Sequence, residues 1–381
     1  MKNIVSSLLC IVVSASLWSC QNEEAGFRPV NRHATKEARQ LLEFLYSIKG
    51  KYTLTGQHDF ISDLNRYDSV VHSITGKYPV VWGSDFSFNA VGDNQRRFQH
   101  CGPMNLTAPW SELRENGLTT AQLRQGLVEQ AKARHAEGRI ITLMWHCCWP
   151  VYGDTCNGDS IWMWADGLPT EETWQELVTD GTPLNTAWKK QVDAVVPYLK
   201  QLQDAKIPVL WRPYHEMNGV WFWWCNKPGE EGFKKLWIMM YEYFTYHHML
   251  NNLLWVWNTN APRDIPGDEA FAYTDFYPGS EYVDVLAADV YRQDYRQSHH
   301  DQLLELGGGK LIALGEVGQL PTVEQYESQP DWSWFMVWGY FISGRGEGAG
   351  ELVKEIYNHP GSLTLDRIDF FKGRYALKKR Y

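Results

Sequence analysis

Eight short apolar runs, each followed by a helical segment or a long loop, are the feature that most constrains the fold of this 381-residue chain. The runs span residues 52–57, 79–86, 139–146, 208–216, 253–258, 283–291, 311–318 and 334–341. They are nearly continuous stretches of Val, Ile, Leu and Trp, which is typical of strands that are buried on both faces of a parallel sheet. The pattern therefore predicts a chain dominated by parallel β-structure.

Segments with helical periodicity lie between the runs, most clearly at 35–48, 120–137, 185–204 and 231–249. Eight strands alternating with helices predict an α/β fold, a (β/α)8 TIM barrel formed by a single domain. A doubly wound open sheet is the alternative. Such a sheet usually has fewer strands, and no glycine-rich phosphate fingerprint follows any run in this chain.

Polar or aromatic side chains stand at or near the C-terminal ends of seven of these runs. They are Asp85, His146, Glu216, Asn258, Tyr291, Glu316 and Trp338. Barrel enzymes build their active sites at this end of the strands, because the loops that follow the strands surround it. We therefore expect these side chains to surround one site.

The first 19 residues read as a signal peptide, with a short basic start followed by an apolar stretch. The stretch closes on "LWSC", residues 17–20, which resembles a bacterial lipobox and predicts acylation of Cys20. Residues 20–33 would then be an acylated cysteine with a polar tether, and residues 34–381 the catalytic domain. We expect an exported lipoprotein of the outer membrane, on its periplasmic or surface face. An ordinary signal peptide with a chance cysteine is the alternative.

Composition narrows the range of partners. The formal charge of −9 argues against nucleic acid and against an electrostatic grip on anionic lipids, so the lipid on Cys20 is the expected membrane contact. Aromatic residues make up 14% of the chain, with 19 Trp, and such side chains stack on sugar rings. A carbohydrate ligand is one reading of this excess, and an aromatic-rich core is the other. A monomer is expected.

The cysteines leave disulfide pairing open. Cys156 has possible partners in Cys147 and Cys148, and the odd number of cysteines beyond residue 20 leaves one free. A zinc site at His146 with these cysteines is an alternative. However, adjacent strand residues point to opposite faces, and no CxxC spacing is present. We therefore predict neither a metal nor a cofactor.

Two glutamates, Glu216 and Glu316, end apolar strands, where burial of a carboxylate costs free energy unless the group is paired or functional. Two such groups facing each other suit glycoside hydrolysis, in which one protonates the leaving oxygen and the other attacks the anomeric carbon. The more apolar and aromatic surroundings should favour the protonated form. We therefore assign Glu216, beside Trp221 to Trp224, as acid/base and Glu316 as nucleophile.

Several short motifs of the chain resemble those of a known enzyme family. The stretch "RPYHEMNGVWFWW", residues 212–224, resembles the acid/base region of glycoside hydrolase family 26, the retaining β-mannanases of the (β/α)8 clan with catalytic glutamates on strands four and seven. "GEVG", residues 315–318, is similar to its nucleophile strand. "WH" at 145–146, "DVY" at 289–291 and "VWG" at 337–339 fall where that family contacts substrate. His215, in place of the asparagine common in the clan, is a mark of the family.

The resemblance implies six substrate-binding residues, namely His146, His215, Trp221, Tyr291, Trp338 and Arg212. The two histidines would bind hydroxyl groups of the sugar in the cleavage subsite, and Trp338 would stack beneath that sugar. Tyr291 would also orient Glu316, and Trp221 would lie beyond the scissile bond.

The predicted function is hydrolysis of β-1,4-mannosidic linkages in mannan, galactomannan or glucomannan by double displacement, as a mannan endo-1,4-β-mannosidase. β-1,3-Xylan or mixed-linkage β-glucan are alternative substrates, and a non-catalytic glycan-binding lipoprotein is the alternative of another class. The loop 147–167 departs from the commoner family pattern and carries Trp149, Trp162 and Trp164 as a possible wall of the cleft. That departure leaves the endo- or exo-acting mode open.

Overall fold

A computed structural model describes residues 28–60, 66–86, 120–153, 161, 169–343 and 349–379. The predicted signal peptide, Cys20 and most of the tether lie outside these residues. Cys156, Trp162 and Trp164 also lie outside them.

Eight parallel strands form a closed barrel, which confirms the predicted TIM-barrel fold. The strands are β1 (Thr53–Leu54 and Gly56–His58, broken at Thr55), β2 (Val81–Asp85), β3 (Ile140–Trp145), β4 (Val209–Pro213), β5 (Leu253–Asn260), β6 (Val285–Val290), β7 (Leu311–Val317) and β8 (Trp332–Val337). β8 pairs with both β7 and β1, and this pairing closes the barrel. A short strand β9 (Ser362–Leu363) pairs with the beginning of β1, and β10 (Ile368–Phe371) and β11 (Arg374–Leu377) form an antiparallel hairpin.

Helices connect the strands on the outside of the barrel. In the described residues they are α1 (Lys36–Ile48), α2 (Arg66–Thr75), α3 (Thr120–Ala136), α4 (Glu171–Leu177), α5 (Pro183–Asp193), α6 (Val196–Asp204), α7 (Phe233–Glu242), α8 (Gln297–Gly307), α9 (Val323–Ser328) and α10 (Ala349–Asn358). None of the helices in the described part of the chain combines the length and the apolar character that crossing a membrane requires.

Helix α1 closes the N-terminal end of the barrel. Thr35 begins it by accepting a hydrogen bond from the Ala38 N–H, which satisfies one of the free donors of the first turn. Its apolar face joins residues at the beginnings of the strands in one buried cluster that includes Leu41, Leu45, Val81, Leu254 and Leu311. The opposite, C-terminal end of the barrel is therefore the open end.

The tryptophans mostly belong to the core. Among the tryptophans that the structure describes, eleven side chains are less than 2% exposed. Aromatic side chains bury a large apolar area each, so they contribute strongly to packing between the strands and the outer helices. An aromatic-rich core therefore explains the aromatic content better than a sugar ligand does. The composition by itself is weak evidence for a sugar ligand.

Two predicted helices differ from the structure. The segment 185–204 is two helices, α5 and α6, which break before Pro197 because proline lacks an N–H and its ring clashes with the preceding turn. The segment 231–249 begins at Phe233 as α7 and ends in a π-helical turn, Tyr243–His247. Neither change alters the order of the strands.

Candidate active site

Glu216 lies three residues beyond the end of β4, because the strand ends at Pro213 rather than at the glutamate. Tyr214 and Glu216 have left-handed backbone conformations, with φ of 49° and 57°. The turn is held by the Glu216 N–H, which donates to the Asn258 carbonyl at 2.7 Å, and by the Gly219 N–H, which donates to the Glu216 carbonyl at 2.9 Å. Non-glycine residues in this region cost of order 1–3 kcal/mol and are concentrated at functional sites.

The Glu216 carboxyl is buried and has neutral hydrogen-bond partners. Trp221 Nε1 donates to Oε2 at 2.6 Å, and Asn260 Nδ2 donates to Oε1 at 3.2 Å. Burial, followed by the charge of Glu316, raises the pKa of Glu216 to about 8, although the Trp221 hydrogen bond opposes the shift. Glu216 therefore carries its proton at neutral pH and can act as an acid.

The Glu316 carboxyl, within β7, has a cationic partner. Arg212 Nη2 donates to Oε1 at 2.9 Å, and Tyr291 Oη donates to Oε2 at 2.8 Å. His215 Nε2 lies 3.8 Å from the same Oε1 atom. Charge-assisted hydrogen bonds of this kind are short and strong, so Arg212 and Tyr291 hold the Glu316 carboxyl group in a fixed orientation.

Arg212 is buried beneath Glu316 and does not line the cavity that opens above the two carboxyl groups. Its Nη1 atom donates to Asn258 Oδ1 at 3.1 Å and is 3.6 Å from Asp289 Oδ2. Ligand atoms of His215, Asp289 and Glu316 lie within 4.8 Å of one another, a spacing that a metal ion could use. The Arg212 guanidinium already supplies a cation to both carboxylates of that group.

The glycines that flank Glu316 make room for protein side chains. A Cβ on Gly315 would lie 1.7 Å from Asn258 Oδ1, and a Cβ on Gly318 would lie 2.5 Å from Tyr291 Cδ1. The space beside these glycines is therefore filled by protein side chains rather than by a ligand. The two glycines allow the partners of Glu316 to approach it.

A cavity of about 260 Å³ opens above the two carboxyl groups. Its walls include His146, His215, Glu216, Trp221, Phe222, Asn260, Arg263, Tyr291, Glu316 and Trp338. Five of the six predicted substrate-binding residues therefore lie at one cavity, and Arg212 is the exception.

Packing fixes the orientation of two cavity residues. His146 Nδ1 is hydrogen-bonded to Asp85 Oδ2, and the His146 backbone N–H also donates to Asp85. The Trp338 ring stacks on His58, with ring centres 3.9 Å apart and planes at 24°, and meets the edge of Phe60. Both side chains are therefore held rigidly from behind.

The aromatic run after Glu216 divides into cavity residues and buried supports. Trp221 and Phe222 line the cavity, whereas Trp223 and Trp224 are at most 2% exposed. Trp223 Nε1 donates to the Cys147 carbonyl at 2.9 Å, and Trp224 Nε1 donates to the His215 carbonyl at 2.8 Å. Of the aromatic residues 221–224, Trp221 and Phe222 therefore face the cavity, and Trp223 and Trp224 support the turn from behind.

Neighbouring positions in the loop after β3 are also buried. Trp149 is 4% exposed and packs its ring against Trp223, with centres 5.2 Å apart. Cys147 and Cys225 are free buried thiols, and burial raises the pKa of each. Cys148 is disulfide-bonded to a partner outside the described residues, which removes it as a thiolate ligand of zinc.

Asn260 and Arg263 line the cavity, but no sequence pattern predicted them as site residues. Asn260 could have been found, since it lies two residues after Asn258 and side chains two apart in a strand share a face. The predicted fifth strand ended at residue 258, whereas β5 continues to Asn260. Arg263 lies in the following loop, where no periodic signal marks it.

Several known proteins are similar to this chain over most of its length. The model of "Glycosyl hydrolase family 26" matches residues 30–93 and 111–367. A mannan endo-1,4-beta-mannosidase of Thermothelomyces thermophilus is 33% identical over 350 residues, which cover 89% of this chain and 62% of that protein. A Bacillus subtilis mannan endo-1,4-beta-mannosidase is 33% identical over 371 residues, which cover 91% of this chain and 90% of that protein.

Among solved structures, GH26A from Muricauda sp. MAR_2010_75 is 44% identical with a TM-score of 0.77, covering 89% of this chain and all of that chain. The matches to two Piromyces mannan endo-1,4-beta-mannosidases span 50% and 54% of those longer proteins. This chain thus covers less than two thirds of several of its curated relatives.

Proposed function

The chain belongs to glycosyl hydrolase family 26, and from this premise we propose that it hydrolyses β-1,4-mannosidic linkages with retention of configuration. The observation that carries the proposal is the contrast between two buried carboxyl groups at one cavity. Glu216 is held protonated by burial, and Glu316 is held by Arg212 and Tyr291. Retaining glycosidases need this combination of an acid and a nucleophile.

In the first step Glu316 attacks the anomeric carbon while the glycosidic bond breaks. Glu216 transfers its proton to the leaving oxygen, so the leaving sugar departs as a neutral alcohol. The product is a glycosyl ester on Glu316. Arg212 and Tyr291 donate to different oxygens of Glu316, so the oxygen that does not attack keeps one of these two donors.

In the second step a water molecule attacks the same carbon from the opposite side of the ring. Glu216, now ionised, removes a proton from that water, and the bond to Glu316 breaks. The Trp221 N–H stabilises the ionised form of Glu216 in the interval. Two inversions give overall retention, and both carboxyl groups return to their original protonation states.

The proposed substrates are mannan, galactomannan and glucomannan. His146 and His215 lie at the cavity as hydrogen-bonding groups for sugar hydroxyls, and the Trp338 ring offers an apolar floor. The names of the relatives support mannan over xylan or mixed-linkage glucan. A rigid aromatic floor supports stacking because it loses little conformational freedom on binding.

A product time course tests this proposal. Purified protein is incubated with unbranched mannan, galactomannan, xylan and mixed-linkage glucan, and the products are separated by size. A ladder of manno-oligosaccharides is the expected result and indicates endo action, whereas mannobiose alone indicates exo action. Release of sugars from xylan or glucan only would refute the assignment of substrate. Proton NMR of the first product should show the β-anomer before mutarotation.

We further propose that Cys20 is acylated and anchors the protein to the outer membrane. The support is the stretch Leu17–Cys20 at the end of an apolar leader. The full chain, expressed in a bacterium that processes lipoproteins, should partition into the detergent phase of Triton X-114. The Cys20→Ala variant should remain in the aqueous phase. If both proteins remain in the aqueous phase, the result would favour an ordinary signal peptide.

A further inference from the structure

The N-terminal end of the barrel, opposite the catalytic cavity, differs in charge from the chain as a whole. The hairpin of β10 and β11 packs against helix α1 at this end. Residues 366–379 carry five cations and two carboxylates, whereas the whole chain has a formal charge of −9. The net charge of the chain therefore does not describe this surface, which is locally basic.

The inner face of the hairpin holds it against the barrel. Tyr375 Oη donates to the Arg139 carbonyl, just before β3, at 2.8 Å. The Tyr375 ring packs against Phe44 of α1 and against Phe370, with ring centres 5.7 and 4.8 Å apart. Because successive side chains of a strand point to opposite faces, Phe371 points away from the barrel. The hairpin is therefore fixed in place, with an outer face in contact with solvent.

The tip of the hairpin, residues 371–374, combines an exposed aromatic ring with a strained lysine. Phe371 is 72% exposed, more than any other large apolar side chain in the described residues. Lys372 Nζ lies 5.1 Å from the centre of its ring. Lys372 and Gly373 form the turn, with φ of 50° and 78°. Two-residue turns with positive φ at both positions prefer Asn, Asp or Gly at the first, so the chain accepts strain to place a lysine there.

The cations of the hairpin are exposed and have no acidic partner. Lys372, Arg374, Lys378 and Lys379 form no ion pair with a carboxylate anywhere in the described part of the chain. Lysines on the outer helices are instead paired with a nearby acidic residue, as in Lys132–Glu129, Lys234–Glu230, Lys235–Glu231 and Lys354–Glu351. Free Lys and Arg side chains beside an exposed Phe are the combination that binds proteins to the surface of anionic bilayers.

The N-terminal segment of the chain meets the barrel at this same end. The Val30 N–H donates to Asp284 Oδ1 at 2.8 Å, and Asp284 directly precedes β6. The Thr35 N–H donates to the Asn251 carbonyl, two residues before β5, at 2.7 Å. Residues 30–35 are therefore bound at the beginnings of the strands, away from the two glutamates.

The hairpin tip lies beside the helix that follows this segment. A Cβ on Gly373 would lie 3.6 Å from Cγ of Glu37, in the first turn of α1. Arg28 is eight residues after Cys20, a stretch that can span at most about 29 Å. An acyl group on Cys20 would therefore hold this end of the barrel, rather than the catalytic cavity, near the bilayer.

We propose that the hairpin of β10 and β11 is a membrane-contact surface for anionic phospholipid. Lys372, Arg374 and Lys378 lie against headgroup phosphates, and Phe371 enters the interface between headgroups and acyl chains. The catalytic cavity then faces away from the bilayer. This orientation rests on the proposed acylation of Cys20, whereas the affinity of the hairpin for lipid requires neither the acyl group nor the proposed catalytic function.

Sedimentation with vesicles tests the hairpin without the acyl group. The mature chain, residues 20–381 with Cys20→Ala, should bind vesicles of equal parts phosphatidylglycerol and phosphatidylethanolamine, and should bind phosphatidylcholine vesicles roughly tenfold more weakly. The double variant Lys372→Gln/Arg374→Gln should bind the anionic vesicles roughly ten- to thirtyfold more weakly, the loss expected from two cations at such a surface. Phe371→Ser should bind them roughly five- to tenfold more weakly, since the ring is partly buried at the interface.

Matched controls lie at the opposite end of the barrel. Arg292→Gln/Arg296→Gln makes the same change in net charge at two exposed side chains, and Val151→Ser removes a side chain that is 60% exposed. Both controls should bind as tightly as the Cys20→Ala parent. The Tm of the hairpin variants should equal that of the parent, because the substituted side chains are exposed, and this measurement separates lost lipid contact from unfolding.

Three results would refute the proposal. They are a parent that does not sediment with the anionic vesicles, hairpin variants that bind within about twofold of the parent, and controls that lose as much affinity as the hairpin variants. None of these results depends on hydrolysis of mannan. The membrane-contact surface and the proposed function can therefore fail separately.

Discussion

Glu216 and Glu316 lie at the same cavity, but the regions that hold them differ in conformation and charge. Glu216 is in a left-handed turn after β4 and receives hydrogen bonds from an indole and an amide. Glu316 is within β7 and receives hydrogen bonds from a guanidinium and a phenol. Both are nearly inaccessible to solvent.

Since both carboxyl groups are buried, burial alone does not distinguish them. Their hydrogen-bond partners do. Burial raises the pKa of Glu216, and the neutral donors around it only partly offset that cost. Glu316 instead receives hydrogen bonds from Arg212 and Tyr291, and the Arg212 guanidinium also lies 3.6 Å from Asp289. Different environments are how an enzyme obtains an acid and a nucleophile from the same side-chain chemistry.

The strongest way to break this comparison is to remove the nucleophile. Glu316→Ala should lower kcat on mannan by on the order of 10⁴-fold or more, the scale seen when a nucleophile is deleted elsewhere. Azide should restore activity on an aryl mannobioside and yield the α-mannosyl azide, because it attacks from the vacated side. The exposed Glu324→Ala is the control and should keep full activity. Full activity of Glu316→Ala would refute the assignment.

Removing the acid should have an effect that depends on the leaving group. In Glu216→Ala, kcat/KM on mannan should fall by roughly 10²–10⁴-fold, the usual contribution of general acid catalysis. A dinitrophenyl mannobioside, whose leaving group needs no proton, should be affected far less in its first step. Azide should now give the β-mannosyl azide, since it attacks the glycosyl ester. Equal losses on both substrates would argue against Glu216 as the acid.

The hydrogen bond from Tyr291 to Glu316 can be removed by deleting a single oxygen atom. Tyr291→Phe removes the Oη donor to Glu316 and leaves the ring that packs against Phe341. We expect kcat/KM to fall roughly tenfold, the cost of a lost hydrogen bond to a charged group. An unchanged rate constant would show that Arg212 alone suffices to hold Glu316.

Removal of the hydrogen bond from Trp221 to Glu216 should change mainly the pH dependence of kcat/KM. Glu216 must be protonated in the first step, so kcat/KM should decline as pH rises through about 8. The Trp221 hydrogen bond lowers the pKa of Glu216, so Trp221→Phe should move the alkaline limb of the profile to higher pH. A limb that stays in place would show that the indole N–H does not determine the proton affinity of Glu216.

The smallest expected effect is on stability. The pKa of Glu216 is raised in the folded protein, so the unfolded chain loses this proton at lower pH and the free energy of unfolding falls between about pH 4.5 and 8. Glu216→Gln removes that penalty and should raise Tm by roughly 2–4 °C at pH 7.5. The gain should shrink as pH falls through about 4.5, because the unfolded chain then takes up the proton as well. A gain independent of pH would point to packing instead.

Many of the site residues could be predicted from the sequence because they lie at or near the ends of strands. Parallel barrel strands all point the same way, so Glu216, Tyr291, Glu316 and Trp338 had to meet at one face. Asn260 was missed only because the end of β5 was predicted two residues early. Boundary errors of this size come from loops whose conformation depends on tertiary contacts.

Other features could not be read from the chain. Trp223 and Trp224 look like cleft residues beside Trp221, yet they are buried, because the turn after β4 points successive side chains in different directions. Arg212 was assigned to substrate, but its position one residue before Pro213 in β4 directs it under Glu316. The close approach of Asn258 to Gly315 joins two strands and has no local signal in the sequence.

The sequence by itself determined the fold class, the family and the two glutamates, since strand patterning and a specific motif are local properties of the chain. Which glutamate holds a proton depends on burial and on partners contributed by other strands, such as Asn260 from β5 and Arg212 from β4. Electrostatic interactions and desolvation act through space between residues far apart in sequence. The sequence therefore predicted the roles of the two glutamates, whereas only the tertiary structure shows which partners surround each of them.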